Sequence, residues 1–212
     1  MIHVYAFVER LVDVPSVAGL DGATVERLCV EEVDAVFSRR SHGSSRDTLR
    51  DDAVVHGSVV EALRDRAAVV LPVRFGETLP DEEALAESLR ARLPGLRRAF
   101  DRVRGCVEIA VHAHDRIEPD NERPASGAAY MRLRAAEEAR RQESIDTLER
   151  VVGALARDSR LERDRRSVAY LVDSDRLDDV RAVVDRFASD RSDLAVVCTG
   201  PWAPFSFGED AA

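Results

Sequence analysis

The chain has 212 residues, 45% of them apolar, which is enough to bury a core in one large domain or two small ones. Its 40 acidic residues outnumber its 31 basic residues, all arginine, and the net charge of −9 opposes nucleic-acid binding. No apolar run reaches 18 residues, and no secretory signal begins the chain. We therefore expect a cytoplasmic protein with neither nucleic-acid nor membrane partners.

The first half of the chain alternates strand-like and helix-like patterns. Pro94 and Gly95 are expected to break or kink the second helix. Short apolar or alternating runs predict strands at 2–8, 33–38 and 68–76, and spaced apolar residues predict helices from about 51 and from about 80.

The second half begins near residue 102 with the same kinds of pattern. Strands are predicted at 103–111, 167–172 and 194–199, a polar loop at 118–124, a long helix at 127–157 and a shorter helix around 177–187. The middle of the long helix is nearly all alanine and charge, and pairs such as Glu137 with Arg141 can stabilise it. A solvated helix face is favoured there, and a partner-binding arm is the alternative.

These elements predict an α+β protein of two domains. Residues 1–101 form an N-terminal ferredoxin-like domain in this interpretation. Residues 102–212 form a C-terminal α+β domain, also ferredoxin-like, which carries the long helix and an aromatic C-terminal tail.

The sequence contains no convincing catalytic constellation. It has no G-x-S-x-G nucleophile motif and no glycine-rich phosphate loop, and it lacks the lysine that such a loop uses. His112 and His114 would share one face of a strand, but no further local ligand accompanies them, so a solvated turn is favoured over a metal site. His42 and His56 have still less support. We predict no catalytic residue, no metal and no cofactor, and hence no enzyme.

Two motifs stand out instead. In Leu-Pro-Val-Arg-Phe-Gly at 71–76, Pro72 favours an edge or bulge position, and Arg74 beside Phe75 either ties two parts of the protein together or binds a partner. The tail, residues 199–207, holds the only tryptophan and two phenylalanines, stiffened by two prolines. It either folds back onto its own core, which we favour, or presents an aromatic anchor to a partner.

Together these motifs resemble the gas-vesicle protein F/L family (GvpF/GvpL). The similarity extends over nearly the whole chain, through residues 4–7, His56, 59–61, 70–76, 104–108, 127–134 and 199–207. Ala6, Ala203 and Phe205 depart from the usual family residues. The F and L branches share these motifs, so the resemblance indicates the family and not the branch.

The resemblance implies a non-enzymatic accessory protein of gas-vesicle formation. Such proteins are cytoplasmic before assembly and associate with the small apolar shell protein and with other accessory proteins of the gas vesicle. The family fold is two-domain, with a ferredoxin-like unit and a helix-rich α+β unit. No catalytic residues are transferable from the family.

We therefore hypothesise an accessory or minor structural protein of gas-vesicle assembly. Two other classes remain open: a small-molecule-sensing regulatory module of ferredoxin-like fold, and a metal-dependent hydrolase using His112 and His114. The candidate partner-binding residues are Arg74, Phe75, Glu137, Arg141, Trp202, Phe205 and Phe207.

Overall fold

The computed structural model describes residues 1–40, 48–116, 126–162 and 167–208. His42 and the polar loop predicted at 118–124 lie outside these ranges. By its internal contacts the chain divides into two compact units. Unit 1 comprises Met1–Cys106 and Trp202–Ala212, and unit 2 comprises Val107–Pro201. The tail from Trp202 onward, which the sequence pattern assigned to the second half of the chain, thus belongs to unit 1.

Unit 1 contains a five-stranded sheet and two helices. The strand order is β2-β3-β1-β4, with β5 paired to β1, and every pairing is antiparallel. The elements are β1 (Ile2–Glu9), β2 (Val25–Val30), β3 (Val33–Arg39), α1 (Leu49–Leu63), β4 (Val69–Pro72), β5 (Thr78–Leu79) and α2 (Glu82–Val103).

Both faces of β1 are buried, because a helix covers each of them. Ala6 packs with Val59 and Leu63 of α1 in one hydrophobic cluster. The ring of Phe7, the next residue along the strand, lies 5.8 Å from the Arg92 guanidinium carbon of α2. Successive side chains of a strand point to opposite faces, so the two helices lie on opposite sides of the sheet.

Two prolines of unit 1, Pro72 and Pro94, lie in different structural settings. β4 ends the strand order of the sheet, so Pro72 lies at an edge, as its missing N–H predicts. Pro94, in contrast, lies inside a continuous α2, so the predicted break does not occur. The Asp81 side chain caps this helix by accepting a hydrogen bond from the Ala84 N–H at 2.9 Å. Buried leucines lie on both sides of the proline along the helix.

Unit 2 contains a four-stranded sheet in the order β7-β8-β6-β9. Ile145 and Leu148, near the end of α3, pack with Val180 and Val184 of α4 in its core. The elements are β6 (Cys106–Asp115), α3 (Gly127–Leu148), a π-helical turn (Glu149–Gly153), β7 (Asp158–Leu161), β8 (Ser167–Asp173), α4 (Leu177–Asp190) and β9 (Leu194–Trp202).

The predicted α+β class, with sheets and a long helix, is confirmed. The ferredoxin-like detail is not confirmed in unit 1, where three strands precede the first helix instead of the order β-α-β-β-α-β. Unit 2 has that element order, and its ferredoxin-like assignment stays a prediction. In the ranges that the structure describes, no helix combines the length and apolar character that crossing a membrane requires.

Candidate functional site

The residues after β4 form a short turn that exposes one charged side chain and half-buries one ring. The Val73 N–H donates to the Tyr5 carbonyl at 2.9 Å, which continues the contact of β4 with β1. The Glu77 N–H then donates to the Arg74 carbonyl at 3.2 Å and closes the turn. Gly76 has a φ of +98°, a conformation that favours glycine. Arg74 is exposed and Phe75 is half-buried. We call residues 73–76 the motif segment.

A buried pair of histidines lies beneath the motif segment. His56 is on the core-facing side of α1, and its Nε2 lies 3.0 Å from the Val73 carbonyl oxygen. A carbonyl only accepts, so Nε2 of His56 carries the proton and donates it. The other ring nitrogen of His56, Nδ1, lies 2.9 Å from Nε2 of His3 on β1 and accepts its hydrogen. The two rings thus form a hydrogen-bonded chain from β1 to the motif segment.

The environment of this pair favours two neutral rings. Burial, the neighbouring His56 ring and Arg40 lower the pKa of His3 from 6.5 to about 4, against a raising contribution from Asp52. Burial lowers the pKa of His56 to about 4 as well, although the hydrogen bond to Val73 opposes this. A neutral imidazole can donate from one nitrogen and accept at the other, which is what the chain of hydrogen bonds requires.

Aromatic rings surround the histidine pair. The ring centroid of Phe75 lies 5.7 Å from the ring centroid of His3 and 5.6 Å from that of His56. Tyr5 lies 5.0 Å from His3, and Phe205 of the tail lies 6.4 Å from His56. We call these five residues, His3, Tyr5, His56, Phe75 and Phe205, the motif cluster. It brings together side chains from β1, α1, the motif segment and the C-terminal tail.

The tail is held in place by polar and apolar contacts in unit 1. The Ala203 N–H donates to Oε1 of Glu61 on α1 at 2.9 Å. Phe207 is fully buried, with the Arg102 guanidinium carbon 5.7 Å from its ring centre. Gly208 passes so close to β4 that a Cβ there would lie 2.8 Å from the Pro72 carbonyl oxygen. The tail therefore folds back onto the core, the alternative that the sequence analysis favoured.

The histidines of unit 2 form a different arrangement. His112 and His114 share a face of β6, as their spacing predicts, with stacked rings 6.5 Å apart and an interplanar angle of 8°. Among the described residues, no group of three or more histidine, cysteine, aspartate or glutamate side chains is arranged to hold a metal ion.

The comparison with protein families covers almost the entire chain. The model of the family "Gas vesicle synthesis protein GvpL/GvpF" matches residues 1–209. The chain belongs to the GvpL/GvpF family. The resemblance that the two motifs carry is thereby confirmed, and membership supports a role associated with gas vesicles.

Individual GvpF proteins agree with this assignment. Gas vesicle protein F2 of Halobacterium salinarum is 29% identical over 196 residues, which span 91% of this chain and 84% of that protein. Gas vesicle protein F of Haloferax mediterranei is 31% identical over 163 residues, 74% of this chain and 69% of that protein.

Solved GvpF structures share the fold. Crystal structures of GvpF from Anabaena sp. and from Microcystis aeruginosa each superpose with a TM-score of 0.76 at 16% identity. Each alignment covers 98% of this chain, with 95% of the Anabaena protein and 98% of the Microcystis protein.

The structure places the predicted contact residues in different environments. Phe75 and Phe205 lie together in the motif cluster, with Arg74 exposed beside Phe75. Phe207 is buried, so its ring packs the core and is not accessible in this conformation. Trp202 is exposed, with a relative accessibility of 44% for the residue.

The other two predicted contact residues, Glu137 and Arg141, lie on α3 of unit 2, where their pairing differs from the expectation. Glu137 is 3.3 Å from Arg134, and Arg141 is 2.8 Å from Glu138, so both pairs have i,i+3 spacing. Either spacing makes neighbours on a helix surface, and here the i,i+3 partners are the ones in contact.

Sequence reasoning gave the two histidines at the centre of the motif cluster no role in a site: His3 was not singled out, and His56 was named only as a weakly supported ligand and among the residues that carry the family resemblance. His3 lies two residues before Tyr5 on a strand of apolar residues, a pattern that places both side chains on one buried face. His56 precedes Val59, Val60 and Leu63 by three, four and seven residues, the spacing of one helix face. That spacing was the available signal for a buried histidine.

Proposed function

We propose that this protein is a non-enzymatic accessory or minor structural protein of gas-vesicle assembly. It binds the small apolar shell protein and other accessory proteins of the gas vesicle, in the cytoplasm and at the vesicle. The observation that carries the proposal is the motif cluster, in which Phe75 and Phe205, one from each of the two sequence motifs, both pack against His56 in unit 1.

The chemistry of the cluster suits an apolar partner. Phe75 and Phe205 are half-buried, so each ring is fixed by the core and still offers apolar surface. The exposed Arg74 adds a guanidinium beside them, which can pair with a carboxylate at the edge of an apolar contact. A shell subunit with a strongly apolar face needs that face covered before it polymerises, because exposed apolar patches promote aggregation.

The first turns of α3 offer a second surface for other accessory proteins. Met131 is 66% exposed as a residue, and Tyr130 and Leu133 are also exposed. The first buried residue of this helix is Ser144, near its C-terminal end. Glu137 and Arg141 continue the stripe that Tyr130 and Leu133 begin, so an interacting helix would meet both apolar and charged groups.

The test is capture of co-expressed gas-vesicle shell protein by the tagged chain. We compare the unaltered protein with a Phe75→Ala/Phe205→Ala variant, a Trp202→Ala/Phe205→Ala variant and a control. The control is Val12→Ala/Val54→Ala, which changes two exposed side chains of the same unit. Urea unfolding establishes that each variant is folded.

We expect capture by the unaltered protein and by the control, and loss of capture by the folded Phe75/Phe205 variant. Loss in the folded Trp202/Phe205 variant as well would place the tail at the contact. Absence of any capture by the unaltered protein would contradict the proposed function. Equal capture by all four proteins would contradict the assignment of the surface.

A further inference from the structure

We propose that His56 positions the motif segment through its hydrogen bond to the Val73 carbonyl. His3 holds the His56 ring in the tautomer that can donate this bond. The partner-binding part of this inference rests on the proposed function. The positioning part concerns the free protein alone.

The first step is the contact between His56 and the motif segment. The Val73 carbonyl is the last backbone acceptor before the two side chains that face a partner, Arg74 and Phe75. His56 donates to it at 3.0 Å from a buried position on α1. A directional hydrogen bond at this point fixes the peptide plane between Val73 and Arg74, and so sets the direction in which the segment leaves the strand.

The second step concerns the tautomer. Donation from Nε2 to a carbonyl leaves Nδ1 of a neutral His56 as an acceptor, and His3 supplies the matching donor at 2.9 Å. Nδ1 of His3 is buried and has no hydrogen-bond partner among the described residues. Because His3 donates from Nε2 and a neutral ring carries one proton, Nδ1 of His3 holds a lone pair, and both rings are in the Nε2–H form. A buried nitrogen without a hydrogen-bond partner is energetically unfavourable, and this penalty accompanies the use of His3 to orient His56.

The third step is packing. Phe75 contacts both histidine rings, with centroid distances of 5.7 Å to His3 and 5.6 Å to His56. The same two rings thus hold the backbone of the segment by a hydrogen bond and its aromatic side chain by edge contacts. A replacement that keeps the aromatic shape but removes the donor would separate these two effects.

The elements that pack around His3 and His56 carry other charged and titratable groups. Tyr5 lies on β1 beside His3, Arg40 follows β3, and Asp52 is on α1. Arg40 is itself paired with Asp52 at 3.2 Å and with Asp21 at 2.9 Å. Glu61 of α1 is occupied by the tail and by Arg64. The low pKa values of both histidines agree with a neutral pair in this setting.

The direct test is a long-range proton–nitrogen spectrum of the ¹⁵N-histidine-labelled protein at pH 7. We expect His3 and His56 to show the neutral Nε2–H pattern. A proton on Nδ1 of His56, or a charged His56 ring, would overturn the proposal. This measurement uses the unaltered chain, so it does not depend on any variant folding.

Two substitutions test positioning. His56→Phe keeps a ring without a donor, and His56→Gln supplies an amide N–H that can reach the Val73 carbonyl. His114→Gln, at an exposed histidine of unit 2, is the matched control. We expect His56→Phe to shift the backbone amide signals of Arg74, Phe75 and Gly76, and His56→Gln to restore them in part. Unmoved signals in His56→Phe would overturn the proposal.

The same variants are then used to capture shell protein. We expect at least a tenfold loss of capture in His56→Phe, partial rescue in His56→Gln and no change in His114→Gln. If the unaltered protein captures no shell protein while the spectra behave as expected, the proposed function fails and the positioning role stands. If capture is unaffected by His56→Phe, the link between positioning and binding is wrong.

Discussion

The Glu61 carboxylate accepts a hydrogen bond from the Ala203 N–H, 2.9 Å away in space and 142 residues later in the chain. Its second oxygen lies 2.8 Å from the Arg64 guanidinium, which fixes the carboxylate on the surface of α1. Unit 1 therefore combines two distant segments of the chain, because the tail that Glu61 anchors also supplies the buried Phe207.

Replacing Glu61 tests this anchor. Glu61→Ala removes the acceptor for the Ala203 N–H, and since hydrogen bonds to charged groups contribute about 1.5–3 kcal/mol, we expect a loss of that order in the free energy of unfolding. Glu61→Gln loses the ion pair with Arg64 but keeps an acceptor oxygen, so it is the matched control and should lose less. Equal losses for the two variants in urea unfolding would show that the bond to the tail contributes nothing.

Removing the Phe207 ring tests whether the tail completes the core. Phe207→Ala deletes a fully buried aromatic side chain, for which we expect a loss of about 3–5 kcal/mol in the free energy of unfolding. Trp202→Ala removes a larger ring from a residue that is 44% exposed, and we expect a clearly smaller loss. The reverse order of the two losses would contradict the placement of the tail.

Much of the secondary structure follows from sequence patterns, and the exceptions have identifiable causes. Within the described residues, the helices α1–α4 begin close to their predicted positions, and so do the strands β1, β3, β4, β8 and β9. The strand β2 was missed because a strand at the sheet edge buries only Val25 and Val30, at its two ends. The strand predicted at 103–111 begins only at Cys106, because α2 extends to Val103.

The candidate site was predictable in its parts but not in its assembly. The two motifs identify Arg74, Phe75 and Phe205 from local composition alone. Their meeting with His3 and His56 depends on the pairing of β1 with β4 and on the return of the tail to unit 1. Contacts of such sequence separation are set by tertiary packing, which no local pattern encodes.

The buried histidines predict a specific acid sensitivity. The pKa of each ring is about 4 in the folded protein and 6.5 in the unfolded chain. Between these values the unfolded chain binds protons that the folded protein does not, so stability is lost as the pH falls from 6.5 to 4. At about 1.4 kcal/mol per pKa unit, we expect a loss of at most about 3 kcal/mol for each ring.

The measurement is the free energy of unfolding in urea at several pH values between 7 and 4. Carboxylates also titrate near the lower end, so the comparison is with a His3→Gln/His56→Gln variant. The unaltered protein should lose more stability than the variant across this window. Parallel curves for the two proteins would mean that the histidines are not buried as neutral rings.

We expect substitutions near the two ends of α3 to have different effects on the free energy of unfolding. Ile145→Ala removes a side chain from the core, and we expect a loss of about 2–5 kcal/mol in the free energy of unfolding. Leu133→Ala changes an exposed residue to the best helix former, and we expect a change within about 0.5 kcal/mol. A large loss for Leu133→Ala would show that this end of the helix is packed in solution.

The most direct test of the central claim is photo-crosslinking during co-expression with gas-vesicle shell protein. A benzophenone amino acid replaces Arg74, the exposed residue of the motif segment, and in a control it replaces Val54, an exposed residue of α1. We expect shell protein to be crosslinked from position 74 and not from position 54. Crosslinks from neither position, or from position 54 alone, would contradict a shell-binding role for the motif cluster.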